Sequence, residues 1–212
     1  MMEVYFDNAA TTKPDPRVVE KMTKFLKEDF GNPSSTHKFG RKARVAVEES
    51  REIIAEFLNA DPSEIYFTSS GTEADNMALF GIAKTESKES GRNKIIATAG
   101  DHHAVIESIE RLSEEGFQTE LIPLRKDSSV DLESLSETID KGTSLISAIH
   151  YNNETGVINP IEEISNMKNE HAFYFHTDAV QSFGKTKIDV RKFNLDALSF
   201  SGHKIHGPKG IG

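Results

Sequence analysis

The stretch KIIATAGDHHAVIESIERLSEEGFQTELIPL, residues 94–124, alternates short apolar runs with one longer helical pattern. We interpret KIIATA (94–99) and TELIPL (119–124) as strands because both are short and rich in apolar residues. Between them, AVIESIERLSEEG (104–116) repeats its apolar residues at helical spacing. Strands that alternate with helices are typical of α/β domains. The stretch therefore predicts an α/β fold with a mainly parallel sheet.

The same alternation continues on both sides of this stretch. Pro16 is well placed at the start of a first helix, because proline is favoured in the first turn. Several strands are apolar throughout, which indicates a three-layer arrangement with helices covering both faces of the sheet. The remaining predicted helices cover 16–28, 41–58, 72–84, 131–139 and 161–169, and the remaining predicted strands cover 64–68, 144–150, 173–178 and 196–201.

The composition and charge of the chain argue against several classes of function. The net charge of −9, from 25 Lys and Arg against 34 Asp and Glu, disfavours binding to nucleic acid or to anionic lipid. The N-terminal MMEVYFDNAATT does not resemble a secretory signal, and no apolar run approaches the roughly 18 residues that span a membrane. We therefore expect a cytoplasmic protein with no nucleic-acid or membrane partner. The 212 residues contain no cysteine, so they hold no disulfide, thiolate metal site or cysteine nucleophile.

Polar residues follow five of the six predicted strands, directly after each strand ends. Ligands of open α/β sheets bind outside the carboxyl ends of the strands, so these residues are candidates for one site. Together they supply hydroxyl, imidazole, amide, carboxylate and amine groups. The residues are Ser69 to Thr72, Gly100 to His103, Tyr151 to Glu154, Asp178 with Gln181, and Ser201 with His203 and Lys204.

Each candidate also has a plainer interpretation. Thr72, at a helix start after small residues, suits a phosphate, but Thr72 or Ser70 could simply cap the helix. Asp178 could face a cationic ring nitrogen or form a structural salt bridge or helix cap. Lys204 lies among small residues in SFSGHKIHGPKGIG (199–212) and could form a Schiff base, although most loop lysines are solvated.

Histidines add one further candidate. His102 precedes a predicted helix and could stack on an aromatic ligand or transfer a proton, although an isolated histidine is more often a polar loop residue. The histidines at 102, 103, 203 and 206 show no metal-binding motif, so we predict no metal site. A phosphate site, a carboxylate and a lysine amine match the phosphate, ring nitrogen and aldehyde carbon of pyridoxal 5′-phosphate (PLP).

The sequence resembles the cysteine desulfurases of the class V aminotransferase group, which are PLP enzymes of fold type I. The resemblance covers nearly the whole chain in the order of that family. The matching stretches are YFDNAATT (5–12), FGNPSSTH (30–37), FTSSGTEADN (67–76), DHHAV (101–105), NNETGV (152–157), HTDAVQSFGK (176–185) and SFSGHKIHGPKGIG (199–212).

The resemblance implies a role for each site residue. Lys204 would bind PLP covalently and later move the substrate Cα proton, and Asp178 would keep the ring nitrogen protonated. His102 would stack on the ring and assist proton transfer. The remaining implied contacts are Gln181 and Asn153 near the phenolic oxygen, and Gly71, Thr72, Ser201 and His203 around the phosphate.

The resemblance also implies an incomplete enzyme. Residues 16–212 would form the PLP-binding large domain, incomplete at its C-terminal end, and residues 1–15 would pack toward a small domain absent from this chain. The persulfide cysteine and the arginine for the substrate carboxylate would lie outside these residues. Expected partners are L-cysteine, a second copy in a homodimer, and an iron–sulfur scaffold or other sulfur acceptor.

Two alternatives remain open from the sequence. One is another PLP enzyme of the same group, such as a selenocysteine lyase or a kynureninase-like protein. The other is a non-catalytic scaffold subunit, which the absence of cysteine favours.

Overall fold

The computed structural model describes residues 2–212, which form six helices and one five-stranded sheet. Three short 3₁₀ turns lie at Pro62–Glu64, Met167–Asn169 and Gly202–Lys204. The helices are α1 Pro16–Lys27, α2 Lys38–Leu58, α3 Gly71–Glu89, α4 His103–Glu114, α5 Leu132–Thr138 and α6 Ile161–Asn166. The strands are β1 Lys94–Thr98, β2 Gln118–Ile122, β3 Thr143–Ile149, β4 Tyr174–Asp178 and β5 Ala197–Ser199.

The sheet is parallel throughout, in the order β2-β1-β3-β4-β5. This confirms the predicted α/β class. In the register of the ladder, Ile149 pairs with Asp178 and Asp178 pairs with Ser199, so β3, β4 and β5 end together. Residues that follow these three strands therefore begin from the same edge.

Helices cover both faces of the sheet, as predicted. On one face, Leu79 and Ala83 of α3 pack with α4 against Ile95 and Leu145 of the sheet. On the other face, α5 and α6 bury a second cluster, made of Ile96, Ile122, Val130, Leu135, Ile139, Ile146, Ala148, Ile161, Ile164, Phe173 and Phe175. The three-layer core holds the strands rigidly, which fixes the sheet edge from which the polar residues emerge.

The strand predicted over 64–68 is wrong. Pro62–Glu64 form a 3₁₀ turn that Asp61 caps, and residues 65–68 are not in a strand. The aromatic residues of this segment favour a strand, but a strand also needs a continuous neighbouring ladder. Here the main chain pairs at Thr68, whose N–H and carbonyl bond to Gly212 at 2.8 and 2.9 Å.

Other elements form as predicted, with shifted ends. Asp15 caps α1 and Pro16 begins it, whereas α3 continues five residues past its predicted end to Glu89. The helix predicted over 161–169 tightens into a 3₁₀ turn at Met167. Within the described part of the chain, every helix is too short or too polar to cross a lipid bilayer.

Candidate functional site

Asp178 ends β4 at the carboxyl edge of the sheet and is 2% exposed. Its Oδ1 accepts a hydrogen bond from the Val180 N–H at 2.8 Å. Burial raises the pKa of this carboxyl, and the positive charges of His102 and Lys204 act in the opposite direction. Within residues 2–212, no cationic side chain lies at ion-pair distance from Asp178. A buried carboxylate in this situation is a suitable partner for a cation from outside the chain.

Lys204 lies in the 3₁₀ turn that follows β5, at the same edge of the sheet. Its Nζ donates hydrogen bonds to the carbonyl of Ala9 and, at 2.9 Å, to that of Ala10. Burial lowers the pKa of this amine, and the positive charge of Lys185 lowers it further. Asp178 and Asp7 partly oppose this effect. A lowered pKa increases the fraction of neutral, nucleophilic amine.

The N-terminal segment is tied to the lysine loop by main-chain hydrogen bonds. The Thr12 N–H donates to the carbonyl of His203 at 2.8 Å, and the Asp15 N–H donates to that of His206 at 2.9 Å. The His203 ring nitrogen Nδ1 lies 3.0 Å from the Thr11 hydroxyl oxygen. These contacts hold residues 9–15 against the loop that carries Lys204.

Gln181 is buried beside this segment. Its Nε2 donates to the carbonyl of Ala9 at 2.8 Å, and its Oε1 accepts from the Nζ of Lys185 at 3.1 Å. Gln181 and Lys204 therefore share one carbonyl acceptor. The structure thus brings two predicted site residues, Gln181 and Lys204, to the carbonyl of Ala9, which lies far from both along the chain.

Gly71 and Ser201 meet at the N-terminal end of α3. A Cβ at Gly71 would lie 3.5 Å from the Cβ of Ser201 and 2.9 Å from Val180 Cγ2, so the main chain approaches closely here. Ser70 is the residue that caps α3, because its hydroxyl accepts from the Glu73 N–H at 3.1 Å. Thr72 lies exposed in the first turn. The helix end offers N–H groups and a partial positive charge to an anion such as phosphate.

His102 caps α4, as its position in the sequence suggests. Its Nδ1 accepts from the Ala104 N–H at 3.1 Å, while the side chain stays exposed and lies near enough to Asp178 to lower the pKa of that carboxyl. The rings of His102 and His103 lie edge to face, with centroids 6.1 Å apart. Within residues 2–212, no group of three or more His, Asp or Glu side chains is arranged to hold a metal ion.

The two asparagines that follow β3 have different surroundings. Asn152 donates from Nδ2 to the carbonyl of Gly100 at 2.8 Å, and its Oδ1 accepts from the Glu154 and Thr155 N–H groups. Asn152 thus joins the ends of β1 and β3. Asn153, the predicted cofactor residue, is half-buried next to it.

The sequence analysis did not identify a buried polar network around His176, two residues before Asp178 in β4. His176 lies between the hydroxyl oxygens of Ser147 and Ser199, at 2.9 Å from each, and 3.5 Å from Oδ1 of Asp75. Burial and the negative charge of Asp178 raise the pKa of Asp75 to about 8, and burial lowers that of His176 to about 4. One signal was present: Asp75 shares the helical spacing of the buried face of α3, where a carboxyl is unexpected.

The arrangement of these side chains fits the chemical groups of PLP. Asp178 is a buried carboxylate suited to a protonated ring nitrogen, and Lys204 is an amine of lowered pKa at the same edge. The N-terminal end of α3, with Gly71 and Ser201, suits the phosphate. Gln181 turns its Nε2 donor toward Ala9, beside Lys204, where an amide donor suits an oxygen of the cofactor.

Curated cysteine desulfurases are similar to this sequence over almost its whole length. The chain is 48% identical over 210 residues to "Cysteine desulfurase IscS" of Dictyoglomus turgidum, covering 99% of this chain and 53% of that protein. "Cysteine desulfurase, mitochondrial" of Eremothecium gossypii is 45% identical over 99% of this chain and 42% of that protein. The chain therefore spans about half the length of the curated relatives it matches.

Solved structures are also similar to this chain over almost its whole length. A "NifS-like protein" superposes with a TM-score of 0.95 at 42% identity, over 99% of this chain and 57% of that one. A structure described as "SspA in complex with cysteine" superposes with a TM-score of 0.94 at 40% identity, over 99% and 60% of the two chains. The family model for aminotransferase class V matches residues 4–212. The chain belongs to the aminotransferase class V family, whose members depend on PLP, as the arrangement of Asp178 and Lys204 had suggested.

Proposed function

We propose that this chain is the PLP-binding part of a cysteine desulfurase, which converts L-cysteine to L-alanine and passes the sulfur to a protein cysteine. One observation carries the proposal: at one edge of the sheet lie an amine of lowered pKa and a buried carboxylate that has no ion-pair partner within residues 2–212. The desulfurase names of relatives at 45–48% identity support it. Because the chain spans about half the length of those relatives, we propose the activity for a protein of their full length.

The residues of this chain would have the following roles. Asp178 would hold a proton on the ring nitrogen of PLP, which when bound supplies an electron sink for the substrate Cα–H bond. Lys204 would bind PLP covalently and, when released, accept and return the proton at Cα. His102 would stack on the ring and assist that transfer. The other proposed contacts are Gln181 and Asn153 near the phenolic oxygen, and Gly71, Thr72, Ser201 and His203 around the phosphate.

Sulfur acceptance would use groups from outside residues 1–212, because these residues contain no cysteine. We also propose that residues 1–15 contact the small domain. In support, the hydrophobic side chains Met2 and Phe6 are 86% and 89% exposed, while Thr12 and Asp15 are fixed on the lysine loop. A homodimer, an iron–sulfur scaffold or other sulfur acceptor, and a cytoplasmic location complete the proposal.

A fusion tests this function. Residues 1–212 are joined to the C-terminal part of the Dictyoglomus turgidum protein that lies outside the match; we call this the completed chain. With PLP, L-cysteine and dithiothreitol, which reduces the protein persulfide and releases its outer sulfur as sulfide, we expect sulfide and alanine in equal amounts, and no product from the K204A variant. Turnover of selenocysteine or kynurenine alone would indicate the other PLP enzymes of the group. A folded completed chain that binds PLP and turns over none of these substrates would favour a scaffold.

A further inference from the structure

Lys185 lies beside the site but has no role in the mechanism described above. It lies four residues after Gln181 in a turn segment, and its Nζ donates to the Oε1 of Gln181 at 3.1 Å. Gln181 in turn donates to the carbonyl of Ala9, which also accepts from the Nζ of Lys204. A continuous chain of hydrogen bonds thus runs from one lysine to the other.

This chain of hydrogen bonds decides which end of the Gln181 carboxamide faces the site. A lysine ammonium can donate hydrogen bonds but cannot accept them. Lys185 therefore requires the oxygen of the carboxamide to face it, which turns the NH₂ group toward Ala9 and the site. An NH₂ group facing the site can donate to an anionic oxygen there, whereas the reversed carboxamide would repel it.

The second effect of Lys185 is electrostatic. Apart from burial, the positive charge of Lys185 is the largest influence that lowers the pKa of the Lys204 amine. Asp178 from β4 and Asp7 from the N-terminal segment face Lys204 with the opposite charge and raise its pKa. Lys185 is itself at the surface, where partial loss of water lowers its own pKa. Lys185 thus partly offsets two carboxylates that would otherwise keep Lys204 protonated.

We propose that Lys185 is a positioning residue for the reaction, which orients the Gln181 carboxamide and places a second positive charge beside Lys204. The inference deepens the proposed function, since the amine that it serves is the one proposed to bind PLP. It does not require Lys185 to touch PLP or the substrate.

The test measures Lys204 directly and uses neither PLP nor turnover. The 212-residue chain is labelled with trace acetic anhydride between pH 6 and 10, and the acetylation of each lysine is read by peptide mass spectrometry. The exposed Lys88 serves as the internal reference. In K185M we expect Lys204 to be acetylated about threefold more slowly at pH 7, because loss of a like charge raises its pKa and leaves less of the neutral amine. K185R keeps charge and donors, so it should match the wild type.

A second measurement reports how firmly the Gln181 carboxamide is held in its orientation. In K185M, we expect the side-chain NH₂ protons of Gln181 to exchange with water several-fold faster in NMR spectra, because the group is free to turn. Circular dichroism establishes that each variant is folded. An unchanged Lys204 rate and unchanged Gln181 exchange in K185M would overturn the inference, as would a K185R variant that behaves like K185M. If these shifts occur but the completed chain fails to bind PLP, the proposed function fails while the role of Lys185 in this cluster stands.

Discussion

At the scale of single residues, the site depends on burial acting in opposite directions on acids and bases. Burial raises the pKa of Asp178 and lowers that of Lys204, so both groups are less charged than they would be in water. Their charges stabilise each other across the site. A protonated ring nitrogen beside Asp178 would restore the charge of the carboxylate, which links cofactor binding to the stability of this region.

Asp75 gives a prediction about pH. Its folded-state pKa of about 8 lies above the ordinary value of 3.8 for an aspartic acid, so the folded chain holds a proton that the unfolded chain releases. Stability from this group is therefore present at low pH and is lost as the pH rises through 8. Between pH 6.5 and 8.5 we expect D75N, which resembles the protonated acid, to gain about 2 kcal/mol relative to wild type.

Urea unfolding at several pH values measures this difference. The window lies above pH 6.5, so His150 and His176, whose pKa values burial lowers to about 4, do not titrate within it. Asp101, whose pKa burial raises to about 7, is present in both proteins, so the comparison is between D75N and wild type rather than of wild type alone. Replacing the exposed Glu110 with Gln serves as the control and should leave the slope unchanged. A D75N variant with the same pH dependence as wild type would show that Asp75 is ionised in the folded protein.

At the scale of elements, the loop that carries Lys204 is closely packed against itself. The Gly207 N–H donates to the carbonyl of Gly202 at 2.8 Å, and a Cβ at Gly207 would lie 2.7 Å from the same oxygen. We expect G207A to lower the free energy of unfolding by about 1–3 kcal/mol, because the main chain must shift. The same shift would displace the amine of Lys204 and slow its acetylation.

Gly81 provides the matched control for G207A. It lies inside α3, and a Cβ there would have no atom within 4 Å. We expect G81A to raise stability by about 0.5–1 kcal/mol, because alanine loses less backbone freedom in a helix. Chemical denaturation compares the two variants, and equal effects from both would contradict the packing argument.

The elements also show how far the sequence can be interpreted. Helix and strand positions along 94–124 followed from periodicity, because local spacing decides which face is buried. The prediction that Asp178 and Lys204 belong to one site followed from their positions at or just after strand ends, because the carboxyl ends of parallel strands lie at one edge of the sheet. The contact between Lys204 and Ala9 joins residues 195 positions apart, and no local pattern encodes it. The predicted strand over 64–68 failed because a strand depends on its neighbours.

At the scale of the whole molecule, much apolar surface remains uncovered. Phe6, Leu26 and Phe30 are at least 70% exposed, and a groove of about 650 Å³ runs beside β5, lined partly by Ile65 and Leu198. Exposed apolar surface of this kind favours association. We expect light scattering to give the 212-residue chain a mass well above 23.5 kDa, and to give the completed chain a discrete dimer.

Adding salt distinguishes the cause of this association. Apolar association should persist at high ionic strength, whereas attraction between charged surfaces would be screened. A compact monomer of the 212-residue chain at every salt concentration would contradict the expectation that this exposed apolar surface drives association.

The central claim is that Lys204 binds PLP, and one measurement tests it most directly. The completed chain is incubated with PLP and reduced with borohydride, and the modified peptide is identified by mass spectrometry. The account predicts a single label on Lys204, retained in the K209A variant and lost in K204A. A folded completed chain that is labelled on another lysine, or on none, would contradict it.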